Sequence, residues 1–170
     1  MQREGDARAA YWKALPRTDK RAFRSYVTPA YSERTVTVEP FRLNTGPTPA
    51  ALAGCWTYTI SDSAYSLLGT QLFTYRLKMD WCGKNGYIAD LCDTCFGYKR
   101  PVDVYLGWQF VRHSDFEQRG GKGKLSWQIY TQGEFRFCVV ADIGCVQHLY
   151  PWLEMKVWPN SQVQWWKSDV

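Results

Sequence analysis

The segment Phe73–Cys82 constrains the fold of this chain more than any other stretch, because two kinds of side chain alternate along it without exception. The odd positions are apolar or aromatic: Phe73, Tyr75, Leu77, Met79 and Trp81. The even positions are polar or cysteine: Thr74, Arg76, Lys78, Asp80 and Cys82. A period of two is that of a β-strand with one buried and one solvated face. We therefore predict a central strand here, with Cys82 on its outer face among ordinary solvated residues.

Segments with the same period recur along the chain, among them Cys55–Ile60, Val102–Phe110 and Leu153–Val157. Turn signals such as Asn85-Gly86 separate them. The aromatic share of 16% adds to the preference for pleated surfaces. A chain of 170 residues can bury a real core within one domain. The pattern predicts an all-β antiparallel sandwich of jelly-roll type, preceded by a short helical segment.

The N-terminal part differs from the remainder in both period and charge. Residues 6–27 have helical spacing, which Pro16 interrupts and Thr28-Pro29 ends. Residues 1–34 hold eight Lys or Arg against four Asp or Glu, whereas the rest is nearly neutral. Three regions are predicted: a basic helical arm (1–34), a strand and Pro/Gly linker (35–50) and a disulfide-bearing β-sandwich domain (51–170). The arm could pack on the body, swing free of it, or dock on a neighbouring subunit of an extracellular assembly, in which case the protein would be an oligomer.

Six cysteines in a Trp-rich β-chain predict an oxidising, extracellular location. The cysteines indicate export, yet residues 1–20 lack the apolar core of a signal peptide. We reconcile the two by expecting a secreted protein whose signal has been removed. We expect no membrane span, since no run of about 18 apolar residues occurs.

The parity of the strands predicts how some cysteines pair. Cys55 lies on the outer side of its strand, as Cys82 does, so antiparallel pairing of the two strands would place both Cβ atoms on one side. We predict a Cys55–Cys82 disulfide on this ground. Cys138 and Cys145 bracket a hairpin tip and are natural partners.

Cys92 and Cys95 form a Cys-x-x-Cys pair for which a tight local disulfide is expected in an oxidising setting. Zinc is the alternative, because this spacing is common among zinc ligands, but a structural site needs four of them. Cys82, His113 or a more distant pair would have to complete such a site. We expect no metal and no other cofactor.

Candidate binding residues lie near the C-terminus. The apolar set of Leu153–Val157 faces inward, which leaves Trp152, Glu154, Lys156 and Trp158 on the opposite side, with Trp166 as an extension. Exposed aromatic rings rimmed by charge suit stacking on sugar rings or contact with a partner protein. The alternative is that a second layer or the N-terminal helices cover these tryptophans.

Catalysis has less support than binding. The sequence contains no Gly-x-Ser-x-Gly, His-Glu-x-x-His or phosphate-loop motif. Glu134 and Glu154 are the candidates for the carboxylate pair of a small glycoside hydrolase, which needs two such groups about 5–10 Å apart. Nucleic acid is not an expected partner, because the body of the chain is nearly neutral.

Several short motifs resemble those of uncharacterised secreted Cys/Trp-rich β-proteins of actinobacteria. They cover roughly residues 54–158 and include Gly54-Cys55-Trp56, Trp81-Cys82, Thr131-Gln-Gly-Glu-Phe135, Gly144-Cys145 and Tyr150-Pro151-Trp152. The resemblance implies export and the disulfides Cys55–Cys82 and Cys138–Cys145, and it brings no catalytic residue. The leading prediction is an extracellular, non-catalytic binding or structural module that recognises a glycan or a protein surface.

Overall fold

Eleven β-strands and two helices make up the described chain. The structure is a computed structural model that describes residues 10–41, 54–140 and 144–169. The predicted linker at 44–50, the predicted helix start at residue 6 and the hairpin tip at 141–143 lie outside these residues. The elements are α1 (10–14), α2 (Arg17–Val27), β1 (Pro29–Pro40), β2 (Cys55–Ser66), β3 (Gln71–Lys84), β4 (Tyr87–Ala89), β5 (Gly97–Lys99), β6 (Val102–Val104), β7 (Trp108–Gly120), β8 (Trp127–Val140), β9 (Gly144–Leu149), β10 (Trp152–Val157) and β11 (Val163–Lys167).

The strands form two antiparallel sheets. Sheet A has the order β1-β2-β3-β4, and β5 and β6 pair with the same edge of β3 as β4 does, further along that strand. Sheet B has the order β11-β10-β8-β7, and β9 pairs with β8 beyond the end of β10. Most strands pair with the strand that follows them in the chain. The first six strands form sheet A and the last five form sheet B. The predicted all-β sandwich with a short N-terminal helical segment is confirmed.

The core lies between the two sheets and is rich in aromatic rings. All five odd positions of the Phe73–Cys82 segment are buried, as predicted. They face the inward residues of β8 and β10, among them Ile129, Phe135 and Met155. The Phe73 and Phe135 rings stack across the sheets with centroids 4.2 Å apart. Burial of each such side chain contributes about 1.5–3 kcal/mol, so β3 alone accounts for a large part of the hydrophobic stabilisation.

The outer face of β3 is not the solvated surface that its alternation predicted. Thr74, Asp80 and Cys82 are buried as well as the odd positions. A second, smaller apolar cluster covers the Cys82 end, where Phe41 and Cys95 pack on Cys82. Alternation along one strand reports which residues share a face, and a segment distant in sequence decides whether that face is covered.

The N-terminal helices pack on the body of the protein. Val27 is buried, and its carbonyl oxygen accepts a hydrogen bond of 3.1 Å from Nε1 of Trp108. The strand that follows begins at Pro29, so the predicted boundary between residues 34 and 35 falls inside β1. This strand pairs with β2 along almost its whole length and is the exposed edge of sheet A. Neither helix of the described residues has the length and apolar character that a membrane span requires.

Candidate functional site

Aromatic and polar side chains share the outward side of sheet B, away from the core. We call this surface the outer face. Its members are Asp115, Glu117 and Arg119 on β7, Gln128, Tyr130 and Gln132 on β8, Trp152, Glu154 and Lys156 on β10, Trp158 directly after β10, and Gln164 and Trp166 on β11. Residues paired across neighbouring strands lie on one side of a sheet, so the strand registers fix this membership.

The central row of the outer face crosses all four strands. Trp166 lies opposite Glu154, Glu154 opposite Tyr130, and Tyr130 opposite Glu117. Strand neighbours are about 4.8 Å apart, so this row is roughly 14 Å wide. The row places the Trp166 ring at one edge of the sheet and the Tyr130 ring near its middle, with the Glu154 carboxylate between the two rings.

The aromatic rings of the outer face are accessible to solvent. Trp166 is 41% exposed, and Trp152 and Trp158 are half-buried. The Tyr130 and Trp152 rings lie 5.8 Å apart at an interplanar angle of 33°. The helices contact the protein elsewhere, where Phe23 packs on Phe137 at the far end of β8 from Tyr130. Among the described residues no second layer covers the outer face, so the predicted surface is accessible.

Hydrogen bonds and charges hold the polar members of the outer face in place. Nε2 of Gln128 donates to Oε1 of Glu154. Nζ of Lys156 lies 5.0 Å above the Trp158 ring, in the geometry of a cation–π contact. Burial, and then the carboxylates of Asp115, Glu117 and Glu154, raise the pKa of Tyr130 above its ordinary value. The surroundings of Tyr130 are therefore rich in hydrogen-bond acceptors and negative in potential.

The two carboxylates proposed for glycoside hydrolysis are held apart. Glu154 lies opposite Tyr130, which is four residues from Glu134 along β8, so the backbones of the two glutamates are about 13 Å apart. The Glu134 carboxylate accepts a bond of 2.8 Å from Nε of Arg112 and lies 3.8 Å from Nδ1 of His148. Glu154 is bonded to Gln128, further still from Glu134. A backbone separation of about 13 Å, with each carboxylate bonded to a different neighbour, does not favour the roughly 5–10 Å between carboxyl groups that either hydrolytic mechanism needs.

All six cysteines form disulfides, with the predicted pairs Cys55–Cys82 and Cys138–Cys145 and the local pair Cys92–Cys95. The Sγ atoms of Cys55, Cys82 and Cys95 lie within 4.8 Å of one another. A zinc ion would need these sulfurs as thiolates, which the disulfides exclude in this oxidised form. His113 has another partner, since its Nδ1 lies 3.1 Å from the Tyr75 hydroxyl.

Two further features were not predicted from the sequence. A cavity of about 270 Å³ lies between α2 and sheet B, lined by Phe23, Arg24, Phe137 and Gln147 among others. Inside the sandwich, the Tyr75 hydroxyl contacts both His113 and Thr131 Oγ1, the latter at 2.7 Å. Burial raises the pKa of Tyr75, and burial together with Arg100 lowers the pKa of His113. Tyr75 is fully buried, so we interpret this group as part of the core.

Sequence reasoning found members of the outer face on β10 and β11 and missed those on β7 and β8. Tyr130, Gln128 and Gln132 occupy the positions that alternate with the apolar residues Trp127 and Ile129. The parity argument that assigned Trp152 to the outward side of its strand could have assigned Tyr130 in the same way. Parity alone does not predict that β8 pairs with β10, which brings the two residues together. No protein-family model, curated protein or solved structure matches this chain.

Proposed function

We propose that this chain is an extracellular, non-catalytic module that binds a neutral glycan through the outer face of sheet B. The observation that carries the proposal is the set of accessible rings of Tyr130, Trp152 and Trp166, flanked in register by amide and carboxylate side chains. A sugar ring has an apolar face of C–H groups and a rim of hydroxyls. Aromatic side chains provide the flat apolar partner, and a few well-placed polar groups fix the orientation of the ligand.

The charges of the outer face favour a neutral ligand over an anionic one. The carboxylates of Asp115, Glu117 and Glu154 all act on Tyr130. Arg119 is paired with Glu117 at 2.7 Å, so its charge is partly compensated. The two cations of the outer face are both engaged, Arg119 by Glu117 and Lys156 by the Trp158 ring, so an anionic polymer would still meet three carboxylates around Tyr130. Hydroxyl groups, in contrast, donate well to carboxylate and amide oxygens.

A glycan fits the outer face better than a protein partner does. The fully buried centre of a protein interface is depleted in charged residues. Here charged or amide groups separate the rings, since Glu154 lies between Trp166 and Tyr130. A protein bound at this surface would have to bury these groups and pair each of them.

The extracellular location is part of the proposal. Three disulfides support it, because such bonds persist in oxidising compartments and are rare in the cytosol. The assembly alternative has less support, because the N-terminal helices already contact their own body through Val27 and Phe23.

Co-sedimentation with insoluble neutral polysaccharides (cellulose, chitin, mannan and a mixed-linkage glucan) tests this function. We expect at least one of them to retain the native protein. Trp152→Ala and Trp166→Ala should each weaken that retention about tenfold or more, the effect of losing an aromatic contact worth at least ~1.4 kcal/mol. Trp158→Ala tests whether the surface extends beyond β10.

Tyr105→Ala is the matched control, because Tyr105 is 42% exposed but lies in the loop between β6 and β7. It should bind like the native chain. Retention by none of the polysaccharides, or retention unchanged by both tryptophan substitutions, would contradict the proposal. Binding that depends on the outer face but is found only with a protein would identify the alternative class of partner.

A further inference from the structure

Two disulfides that are separate in sequence meet in the second apolar cluster. Cys55 and Cys82 join β2 to β3, and Cys92 and Cys95 close the loop that covers this junction. The sulfur atoms of Cys55, Cys82 and Cys95 lie within 4.8 Å of one another. Sγ of Cys82 lies 3.8 Å from the carbonyl oxygen of Cys95. One sulfur of the loop disulfide is therefore next to a sulfur of the strand disulfide.

Solvent reaches these two disulfides unequally. Cys55 is 1% exposed, and Cys82 and Cys95 are fully buried. Cys92 is partly exposed and precedes two exposed residues, Asp93 and Thr94. A thiol from solution can approach Cys92, whereas the Cys55–Cys82 bond is shielded by the loop itself. Access, together with thiolate character, controls which disulfide an external thiol attacks.

We propose that Cys92–Cys95 is an exchange site that transfers electrons from an external dithiol to the buried Cys55–Cys82 disulfide. In the first step one thiol of the dithiol loses its proton to water, its thiolate attacks Sγ of Cys92, the Cys92–Cys95 bond breaks, and the electron pair of that bond leaves on Cys95. The second thiol of the dithiol loses its proton to water and displaces Cys92 as a thiolate. The dithiol is thereby oxidised to its own disulfide by two electrons.

The second step takes place inside the cluster and has no net change in oxidation state. The Cys95 thiolate attacks Sγ of Cys82, a Cys95–Cys82 bond forms, the Cys55–Cys82 bond breaks, and the electron pair leaves on Cys55. The Cys92 thiolate then attacks Sγ of Cys95, which re-forms Cys92–Cys95 and releases Cys82. The Cys55 and Cys82 thiolates take up the two protons that the dithiol released. The net reaction passes two electrons and two protons from the dithiol to Cys55–Cys82.

Timed reduction by dithiothreitol under native conditions tests the exchange. Acid quenching, alkylation and peptide mass mapping at each time would follow the three disulfides separately. The key variant is the double substitution Cys92→Ser with Cys95→Ser, which keeps Cys55–Cys82. We expect reduction of Cys55–Cys82 in this variant to be at least about tenfold slower than in the native chain, because a neighbouring thiol acts at an effective concentration far above a millimolar reductant.

A purely protective role for the loop predicts the opposite change in the reduction rate of Cys55–Cys82. If Cys92–Cys95 merely holds the loop over the strand disulfide, its removal loosens the cover and Cys55–Cys82 is reduced as fast as in the native chain or faster. That result would overturn the proposal. Cys138–Cys145 lies on β8 and β9 of the other sheet and is the internal control, since its reduction rate should be the same in both proteins.

Single substitutions keep the proposal falsifiable if the double variant fails to fold. Cys92→Ser leaves Cys95 as a thiol beside the strand disulfide, so mapping without reductant should find a Cys82–Cys95 bond with Cys55 free in part of the molecules. Cys95→Ser is the matched control, since the sulfur that contacts the strand disulfide is removed, and it should retain only Cys55–Cys82 and Cys138–Cys145. An intact Cys55–Cys82 bond in every molecule of Cys92→Ser would overturn the exchange.

Discussion

Tyr130 and Trp152 lie side by side on the outer face, with ring centroids 5.8 Å apart and planes inclined at 33°. The two residues come from different strands, β8 and β10, and both point away from the core. Trp152 is opposite Gln132, one row from Tyr130, so each ring has an amide or a carboxylate as its neighbour. Rings left accessible to solvent at this density are unusual on a folded domain unless they contact something.

Gly83 is essential where the end of β3 meets the turn after β10. A Cβ atom at this position would lie 1.8 Å from the carbonyl oxygen of Pro159, and that neighbour is backbone. Gly83→Ala should therefore lower the free energy of unfolding by about 2 kcal/mol or more, measured by urea denaturation. Gly97→Ala is the matched control, because a Cβ there meets no atom within 4 Å. Equal stability of the two variants would refute the close approach.

Asp62 and Lys167 connect the two sheets by an ion pair of 2.9 Å, with Asp62 only 1% exposed. Asp62→Ala leaves the ammonium group without its carboxylate in a largely buried position, so we expect a loss of about 3 kcal/mol in the free energy of unfolding. Arg112→Ala removes an exposed partner of Glu134 and should cost less than ~1 kcal/mol. A loss of less than ~1 kcal/mol for Asp62→Ala would show that the pair does not hold the sheets together.

His113 should make stability depend on pH. Its pKa lies below the ordinary value of 6.5 because burial, and then Arg100, disfavour the charged ring. The unfolded chain therefore takes up this proton first, so the free energy of unfolding falls as the pH is lowered through 6.5 towards the lower pKa of the folded state. His113→Gln should flatten this part of the profile, measured by urea denaturation at a series of pH values. A profile as steep as that of the native chain would contradict the assignment.

The sequence was informative where neighbours along one strand decide the outcome. The alternation of Phe73–Cys82 identified the buried side of β3, and parity predicted the Cys55–Cys82 pairing that the structure confirms. Parity also separated Trp152 and Glu154 from the core side of β10. The type of turn at Asn85-Gly86 was predictable too, since both residues adopt positive φ in the two-residue hairpin between β3 and β4.

The sequence pattern did not predict the contacts between segments that are distant in the chain. The outer position Cys82 is buried because Phe41 and Cys95, which are distant in sequence, pack in the same cluster. Alternation along β3 contains no information on that cover. The central row of the outer face likewise depends on the strand order β11-β10-β8-β7, which brings Tyr130 beside residues more than twenty positions away. The start of β1 at Pro29 was missed because the signal that ends a helix does not say how soon a strand begins.

The most direct test of glycan binding is to observe the tryptophan indoles while an oligosaccharide is added. The ligand would be a soluble fragment of whichever polysaccharide retains the protein, and the signals would be the Nε1–H resonances in a ¹⁵N-labelled sample, assigned by single Trp→Phe substitutions. We predict saturable shifts for Trp152 and Trp166, with the core indoles of Trp81 and Trp127 unmoved. Shifts confined to core indoles, or none at any tryptophan under conditions where the polysaccharide binds, would contradict the account.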